Sequence, residues 1–498
     1  MVRLVFGVLG IVFALRLPAA QGVDIGLTDG GALISGSVVA AAARTAPTVL
    51  LIGGLNGDDA SVALVRREAE EYERLPPRQR RFRLVAIASA NPSASVLAFP
   101  PTGIAYREQA SSHALWRWIG IHAPDLVLIA GEEDFGLANA LRSNVIAEVD
   151  SVPARKAFAA GDLSRLGAQS LAPSPAHFEL ERRLARSPRE LADELARVYG
   201  RSFDQPWYID AMALIAQARL GHLDEVKRLA EPYVNGSKDS LARPNSLVLA
   251  GHLVFAELAR RTKDPRYASL VRKVADLGFE ADGRMKEAMP YHDEYSDSLF
   301  MGTAILAQAG ALTGERRYFD MAARHIAFMQ KLVLRPDGLY RHSPLTEAAW
   351  GRGNAFPALG LALTLSEFPA DHPERAPILR SFQDHMAALA PYQDADGLWR
   401  NVIDQPGAYP EISATAMIGF SMLRGVRRGW LPAKTYRPLI DAAWRAVLAR
   451  SGARGSFLDA CESTTRMASL QDYLHRAALL GPDPRTGGMV MLFATELR

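Results

Sequence analysis

From about residue 188 to the end, apolar residues recur at i, i+3, i+4 and i+7. That spacing lays one apolar stripe along an α-helix. ELADELARVYG, YIDAMALIAQARLG, SLVLAGHLVFAELARRT, SLFMGTAILAQAGALTG, ARHIAFMQKLVL and EISATAMIGFSMLRGV all carry it, and no convincing strand pattern interrupts them. Residues 24–150 read differently. TVLLIGG (48–54), RLVAIASA (83–90) and DLVLIAG (125–131) are short, apolar runs with helical stretches between them. Strands alternating with helices predict an α/β domain with a mostly parallel sheet. Each run ends in Gly or Asn-Pro, so these ends are expected along the sheet's C-terminal edge, where open α/β sheets bind ligands. APSPA, near residue 174, reads as part of a linker. The pattern therefore divides the chain into an α/β domain (23–165), a linker (166–187) and an all-α domain (188–498).

The helical part repeats itself. TKDPRY (262–267) returns as TGERRY (313–318), and ADGRM (281–285) returns as PDGLY (336–340) and ADGLW (395–399). Each unit reads as an apolar helix, a polar turn, a second helix and an Asp-Gly turn whose glycine supplies a positive φ. Units of roughly 50 residues over the remaining chain give about six helical hairpins. These can stack as an open solenoid or close into an (α/α)6 toroid. The small apolar runs MGTAILAQAG and ATAMIGF favour the close packing of a closed ring. The residues after the Asp-Gly turns, Met285, Tyr340 and Trp399, are expected on one rim, where aromatic rings can stack on sugars.

Composition narrows the function. Lys+Arg total 57 against Asp+Glu 54, so the net charge of +3 gives no electrostatic case for nucleic acid. The single cysteine, Cys461, excludes an intrachain disulfide and a cysteine zinc cluster. The N-terminus has a basic start, an apolar run LVFGVLGIVFAL and small residues at Ala19–Ala20. Residues 1–22 thus read as a secretory signal peptide, with an uncleaved anchor as the alternative, and predict a periplasmic or secreted protein. The run is shorter than the roughly 20 residues that span a bilayer. No other segment reads as a membrane span, and oligomeric state is not readable.

Candidate chemistry gathers at helix mouths. Asp297, in YSDSLFMG, opens an apolar helix; it either caps that helix or sits desolvated in a cleft as a proton donor. His342 follows PDGLYR. Trp350 and Arg352 flank Gly351 in WGRGNAF, where the guanidinium suits a substrate carboxylate. Glu411, with Ser413 and Thr415, reads as a capping arrangement. HDE at 292–294 is too compact for a metal site on one face.

With YSDSLFMG, DGLYRHSP, WGRGNAF, YPEISATAMIGF, ACEST and GGMVMLFATE in this order, the chain over roughly 200–498 resembles the unsaturated rhamnogalacturonyl hydrolases, glycoside hydrolase family 105. The resemblance implies an (α/α)6 barrel and removal of an unsaturated uronic acid from the non-reducing end of lyase products. In that reaction an aspartic acid protonates the C4=C5 bond and water adds at C5. No metal or organic cofactor is implied; the partner is an oligosaccharide. Asp297 matches the catalytic aspartate. His342, Trp350, Arg352, Gly353 and Met301 match positions lining the sugar site, with Trp350 expected to stack on the unsaturated ring. Three positions depart from the pattern: Asn245 replaces a second aspartate, Lys286 a histidine, and Phe356 the second aromatic of the WGRGN motif. All three are carried as substrate-binding candidates.

The first domain resembles zinc carboxypeptidases more weakly, through IGGLNGDD, SANPSA and PDLVLIAG. Asn56, Asp59 and Gly131 stand where that family carries His, Glu and His, so the resemblance implies a degenerate, metal-free relative. An unrelated α/β domain is the alternative. For the whole chain, a glycan-binding protein without turnover is the second reading, motivated by Asn245. A sugar epimerase is the third, and it would need paired histidines.

Overall fold

A computed structural model describes residues 20–43, 45–166 and 171–498. The signal peptide expected over residues 1–22 lies, up to residue 19, outside the described residues.

The first domain is built on a six-stranded sheet. Its strands are β1 (Gln21–Leu27), β2 (Leu33–Val39), β3 (Thr48–Ile52), β4 (Arg83–Ile87), β5 (Leu126–Ala130) and β6 (Ala154–Phe158), in the spatial order β1-β2-β4-β3-β5-β6. The three apolar runs form β4, β3 and β5, which pair in parallel, and β6 extends them in parallel. The sheet is nevertheless mixed, because β1 and β2 form an antiparallel hairpin that pairs antiparallel to β4. Helices Asp59–Arg74 and Ala110–His122 fill the connections. At the strand ends, Asn56 and Asp59 are exposed, and Asn56 Oδ1 accepts from the Asp58 N–H at 3.1 Å. Among the described residues no group of three or more His, Cys, Asp or Glu gathers to hold a metal.

The segment read as a linker contains the helix Pro175–Leu184, which packs against Ala110–His122 and Ala433–Arg450. Its buried Arg183 donates to the Ala449 carbonyl at 3.1 Å. Arg186 donates to Leu448 O at 2.9 Å and Ser451 O at 2.6 Å. These bonds satisfy the free carbonyls at the C-terminus of the helix Ala433–Arg450.

The helical part closes into a ring. The inner helices, each packed on the next, are Tyr208–Leu220, Ser246–Gly251 continuing as Leu253–Thr262, Ser298–Met301 continuing as Thr303–Thr313, Gly351–Glu367, Ile412–Arg427 and Pro484–Glu496, and the last packs on the first. The outer helices are Pro188–Ala196, Leu223–Val234, Pro265–Ala275, Arg316–Val333, Arg375–Leu389 and Ala433–Arg450. This is an (α/α)6 barrel, as the repeat and its small-residue helices suggest. A Cβ on Gly360 would overlap the Leu299 carbonyl oxygen, so only glycine lets these two inner helices touch. The glycines of the Asp-Gly turns have φ of +85° (Gly283), +83° (Gly338) and +93° (Gly397), as turn chemistry requires.

Two expectations about the barrel need correction. It is not wholly helical: β7 (Ser456–Cys461) and β8 (Ala478–Pro482) form an antiparallel hairpin before the last inner helix. The aromatic rim is also absent from where it was expected. Tyr340 and Trp399 are fully buried, and Trp399 Nε1 donates to Leu389 O at 2.8 Å. Among the described residues no helix is long and apolar enough to cross a membrane.

Gly360→Ala is expected to destabilise the barrel by about 1–3 kcal/mol, the usual result of forcing a methyl group into a filled contact. Urea unfolding of the variant beside wild type measures it.

Candidate active site

The N-termini of the inner helices meet at one end of the barrel. Three carry conventional caps. Asn245 Oδ1 accepts from Val248 N at 3.1 Å, Glu411 from Ser413 N at 3.0 Å, and Asp483 from Thr486 N at 3.0 Å. Asp297 differs. It precedes Ser298–Met301, yet its side chain makes no cap bond. It is 6% exposed and its Oδ1 is buried with no hydrogen-bond partner. The capping reading of this residue is therefore wrong. Burial pushes its carboxyl up to about 7, against a smaller opposing pull from Arg352 and Arg476. A carboxylic acid that keeps its proton near neutral pH is able to donate it there.

Ser296 assembles the surroundings. Its N–H donates to His342 O at 2.9 Å, and its hydroxyl donates to Gly353 O at 2.6 Å. A Cβ on Gly353 would lie 3.0 Å from Trp350 Cε3 and 3.1 Å from Ser296 Oγ, which is why glycine stands there. His342 is fully buried, with Nε2 3.7 Å from Asp297 Oδ1 and Nδ1 2.7 Å from the Tyr473 hydroxyl. Burial, with Arg476, Arg352 and Arg466 nearby, holds its imidazole well below the ordinary value, so it is neutral. Among the described residues neither its Nε2 nor Asp297 Oδ1, 3.7 Å apart, has a hydrogen-bond partner.

Behind Asp297, the Ser298 hydroxyl lies 3.0 Å from His325 Nε2. This is not a nucleophile and its base. The Met289 N–H donates to His325 Nδ1 at 3.2 Å, so the ring proton resides on Nε2 and points toward Ser298.

Two arginines complete the cluster. Arg352 donates to Cys461 O at 3.0 Å and Ser463 O at 2.6 Å. Arg476 donates to Ser463 O at 2.8 Å and also to Thr465 O. Both are buried; their partners are backbone carbonyls and, for Arg476, the Ser463 hydroxyl at 3.0 Å, and among the described residues neither forms a direct ion pair. Glu411 supports the Arg352 charge through space, but among the described residues no carboxylate bonds to either guanidinium.

Trp350 does not offer a stacking face. It is 0% exposed, tilted against His342 at 4.3 Å, and lies under Arg352 at 5.1 Å and Arg476 at 4.8 Å. Its Nε1 donates to Asn401 Oδ1 at 3.1 Å. It supports the two guanidiniums from beneath. Tyr295, half-buried, stacks on His342 at 4.9 Å and is the ring closer to solvent.

The other predicted residues scatter. Met301 is buried one turn below Asp297, its N–H donating to Asp297 O at 3.0 Å. Asn245 caps a neighbouring inner helix at the same barrel end. Phe356 is core: it packs at 5.7 Å from Tyr208 and 5.6 Å from Phe300, with no exposure for substrate. Lys286 lines a surface depression of about 440 Å³ with Glu287, Tyr291 and His292, which Asp297 does not line. Sequence reasoning missed Arg476 and Tyr473; both lie in the connection of the β7–β8 hairpin, which itself went unread.

Residues 221–498, more than half of the chain, match Glycosyl Hydrolase Family 88. The chain belongs to Glycosyl Hydrolase Family 88. As a family 88 protein it is a glycoside hydrolase, and its first domain lies outside the matched residues. An unsaturated rhamnogalacturonyl hydrolase of Bacillus subtilis (strain 168) is 24% identical over 246 residues, which is 45% of this chain and 69% of the relative. An unsaturated 3S-rhamnoglycuronyl hydrolase of Formosa agariphila is 34% identical over 100 residues, 20% of this chain and 26% of that protein. Among solved structures, a possible member of the GH105 family from Klebsiella pneumoniae superposes with a TM-score of 0.53 at 20% identity. It covers 68% of this chain and 98% of that one, a likeness of fold.

Asp297 releases its proton at about 7 when folded, against an ordinary 3.8. Its contribution to stability is thus full below the ordinary value and lost as pH rises through about 7. Asp297→Asn, neutral throughout, is expected to melt above wild type at pH 8, with the gap closing toward pH 5; thermal melts across that range check it. Trp350→Ala is expected to lose about 3–5 kcal/mol of stability, as for a buried ring. A surface platform would instead raise KM and leave urea unfolding unchanged.

Proposed function

We propose that the barrel removes an unsaturated (4-deoxy-4,5-ene) uronic acid from the non-reducing end of lyase-generated oligosaccharides, such as unsaturated rhamnogalacturonan disaccharides. The observation that carries this reading is a buried carboxylic acid beside two arginines that have no carboxylate partner. A uronic acid supplies the missing anion, and its enol-ether double bond supplies a carbon base for the proton. Membership of family 88 and relatives named for unsaturated rhamnogalacturonyl and rhamnoglycuronyl hydrolysis support it.

In this reading Asp297 gives its proton to C4. Positive charge develops at C5 and is shared with the ring oxygen. Water adds its oxygen to C5 and returns a proton to the Asp297 carboxylate. The C5 hemiketal opens to a ketone, the pyranose ring opens, and the aglycone leaves as its alcohol, with one water consumed. One carboxyl serves as acid and then as base, so the paired carboxylates of ordinary glycosidases are not needed. Arg352 and Arg476 bear on the substrate carboxylate, and neutral His342 stands 3.7 Å from the Asp297 carboxyl that passes the proton. The basic start and apolar run within residues 1–22 support a periplasmic or secreted location in this reading.

Purified protein given unsaturated pectin- and rhamnogalacturonan-lyase disaccharides is expected to remove the ultraviolet absorbance of the conjugated double bond. The rate is expected to fall as pH rises through about 7, where Asp297 loses the proton it must donate. Asp297→Asn is expected to lower kcat by about 10²–10⁴-fold, the range for a general acid. Calorimetric binding of these sugars without any absorbance loss selects a glycan-binding protein instead.

A further inference from the structure

The first domain touches the barrel where the active site is held from behind. Hairpin β7–β8 has two faces. Phe457 and Ala460 belong to the barrel core, whereas Leu458 belongs to the core of the first domain. Between them the register shifts at a bulge, and Asp459 takes φ +62°. The bulge turns the Asp459 carboxylate to the domain boundary, with Oδ2 4.0 Å from Arg450 Nε of the barrel and Oδ1 toward the first domain. There Oδ1 accepts from Arg117 Nη1 at 2.7 Å and from the Tyr106 hydroxyl at 3.0 Å.

Arg117 also holds the second leg, and Tyr106 the connection that leads into it. Arg117 Nη2 donates to Ala478 O at 3.2 Å, and His475 Nδ1 donates to Tyr106 O at 2.9 Å. The Tyr106 ring stacks on barrel residue Tyr409 at 4.5 Å and 8°. The connection between the legs, residues 462–477, is short of regular structure apart from the helix Leu470–Leu474. It and its flanks supply Cys461 O and Ser463 O to Arg352, Arg476 itself, and the Tyr473 hydroxyl to His342.

We infer that the first domain is a positioning domain for the barrel's chemistry: Tyr106 and Arg117 clamp both legs of the β7–β8 hairpin, and the clamped connection fixes Arg352, Arg476 and His342 around Asp297. This rests on Asp297 being the proton donor proposed above. None of the clamp residues touches Asp297; they act through the connection. The groups facing Asp297 are His342, Arg352, Arg476, Tyr208 and Tyr473. Of these, Arg352, Arg476, His342 and Tyr473 lie in the connection or bond to it. Loosening the clamp lets water reach Asp297, whose raised value comes first from exclusion of water.

The test uses the full-length protein with Tyr106→Phe, Arg117→Met, Arg117→Lys and Asp459→Asn. Tyr106→Phe removes one hydroxyl and keeps the stacked ring, so it remains informative if the ion-pair variants fold poorly. Arg117→Met and Asp459→Asn are expected to lower kcat by about tenfold or more, as displacement of a catalytic constellation does. The alkaline limb of their kcat profile is expected to move to lower pH. Tyr106→Phe moves both quantities the same way by less, and Arg117→Lys restores part of the loss. Variants that melt earlier yet keep wild-type kcat and the wild-type alkaline limb overturn the inference. Should wild type show no turnover, the pH at which its stability gap to Asp297→Asn stops widening still reports the folded carboxyl. That levelling-off point, measured for Tyr106→Phe against Tyr106→Phe/Asp297→Asn, must then move to lower pH, and if it does not the inference fails independently of the enzymatic reading.

Discussion

The site depends on keeping one carboxyl out of water while two guanidiniums stand close to it. These demands oppose each other. Burial favours the protonated acid, and nearby positive charge favours the carboxylate. At Asp297 burial is the larger effect, because its Oδ1 has no donor to stabilise the charged form. The arginines stay tolerable in the interior because backbone carbonyls take their N–H groups. Had carboxylates done so, the pocket would be electrically satisfied and would have little to offer an anionic sugar. Carbonyl ligation solves the desolvation of the guanidiniums without cancelling their charge.

The barrel brings these groups together by a general device. Its inner helices start at one end, so their unsatisfied N–H groups and positive dipole ends gather there. Asn245, Glu411 and Asp483 use their side chains to satisfy their own helices. Asp297 does not, since Ser298–Met301 is a single turn broken at Gly302, and Ser298 and His325 brace it from behind. Released from capping, this acid is free for the proton transfer proposed for it. The same close packing that buries Asp297 requires glycine at 353 and at 360, so the acid strength of the site and the tightness of the ring are one property.

Much of this was legible in the chain, and the gaps have physical causes. The hairpin repeat, the Asp-Gly turns and the parallel strands β3, β4 and β5 announce themselves through periodicity and glycine placement. β1 and β2 do not, because QGVDIGL and LISGSVV mix Gly and Ser into a hairpin that is only partly buried at one side of the sheet. β7 escaped because SFLDAC is short and a bulge at Asp459 breaks its alternation. The aromatics misled most. Trp350, Phe356, Tyr340 and Trp399 all sit near glycines and turns, as ring platforms do, yet each is buried. Type and neighbours along the chain do not distinguish a ring that holds up an arginine from one that meets a sugar; that depends on which residues arrive from elsewhere, here Arg476 and Tyr473 from more than 100 positions away.

That dependence gives the domain interface its meaning. A buried ion pair such as Arg117–Asp459 adds little net stability, since removing both charges from water offsets most of their attraction. What it does supply is a defined geometry: one carboxylate, at one bulge, meeting a guanidinium and a phenol at fixed distances. An apolar contact at the same place would hold the domains together and leave the hairpin free to slide. Holding the hairpin at this depth matters because its connection supplies the carbonyls that anchor Arg352 and Arg476, and bonds of that kind tolerate displacements of only a few tenths of an ångström. The interface is polar where the active site needs precision, and apolar, at Leu458, where it needs only adhesion.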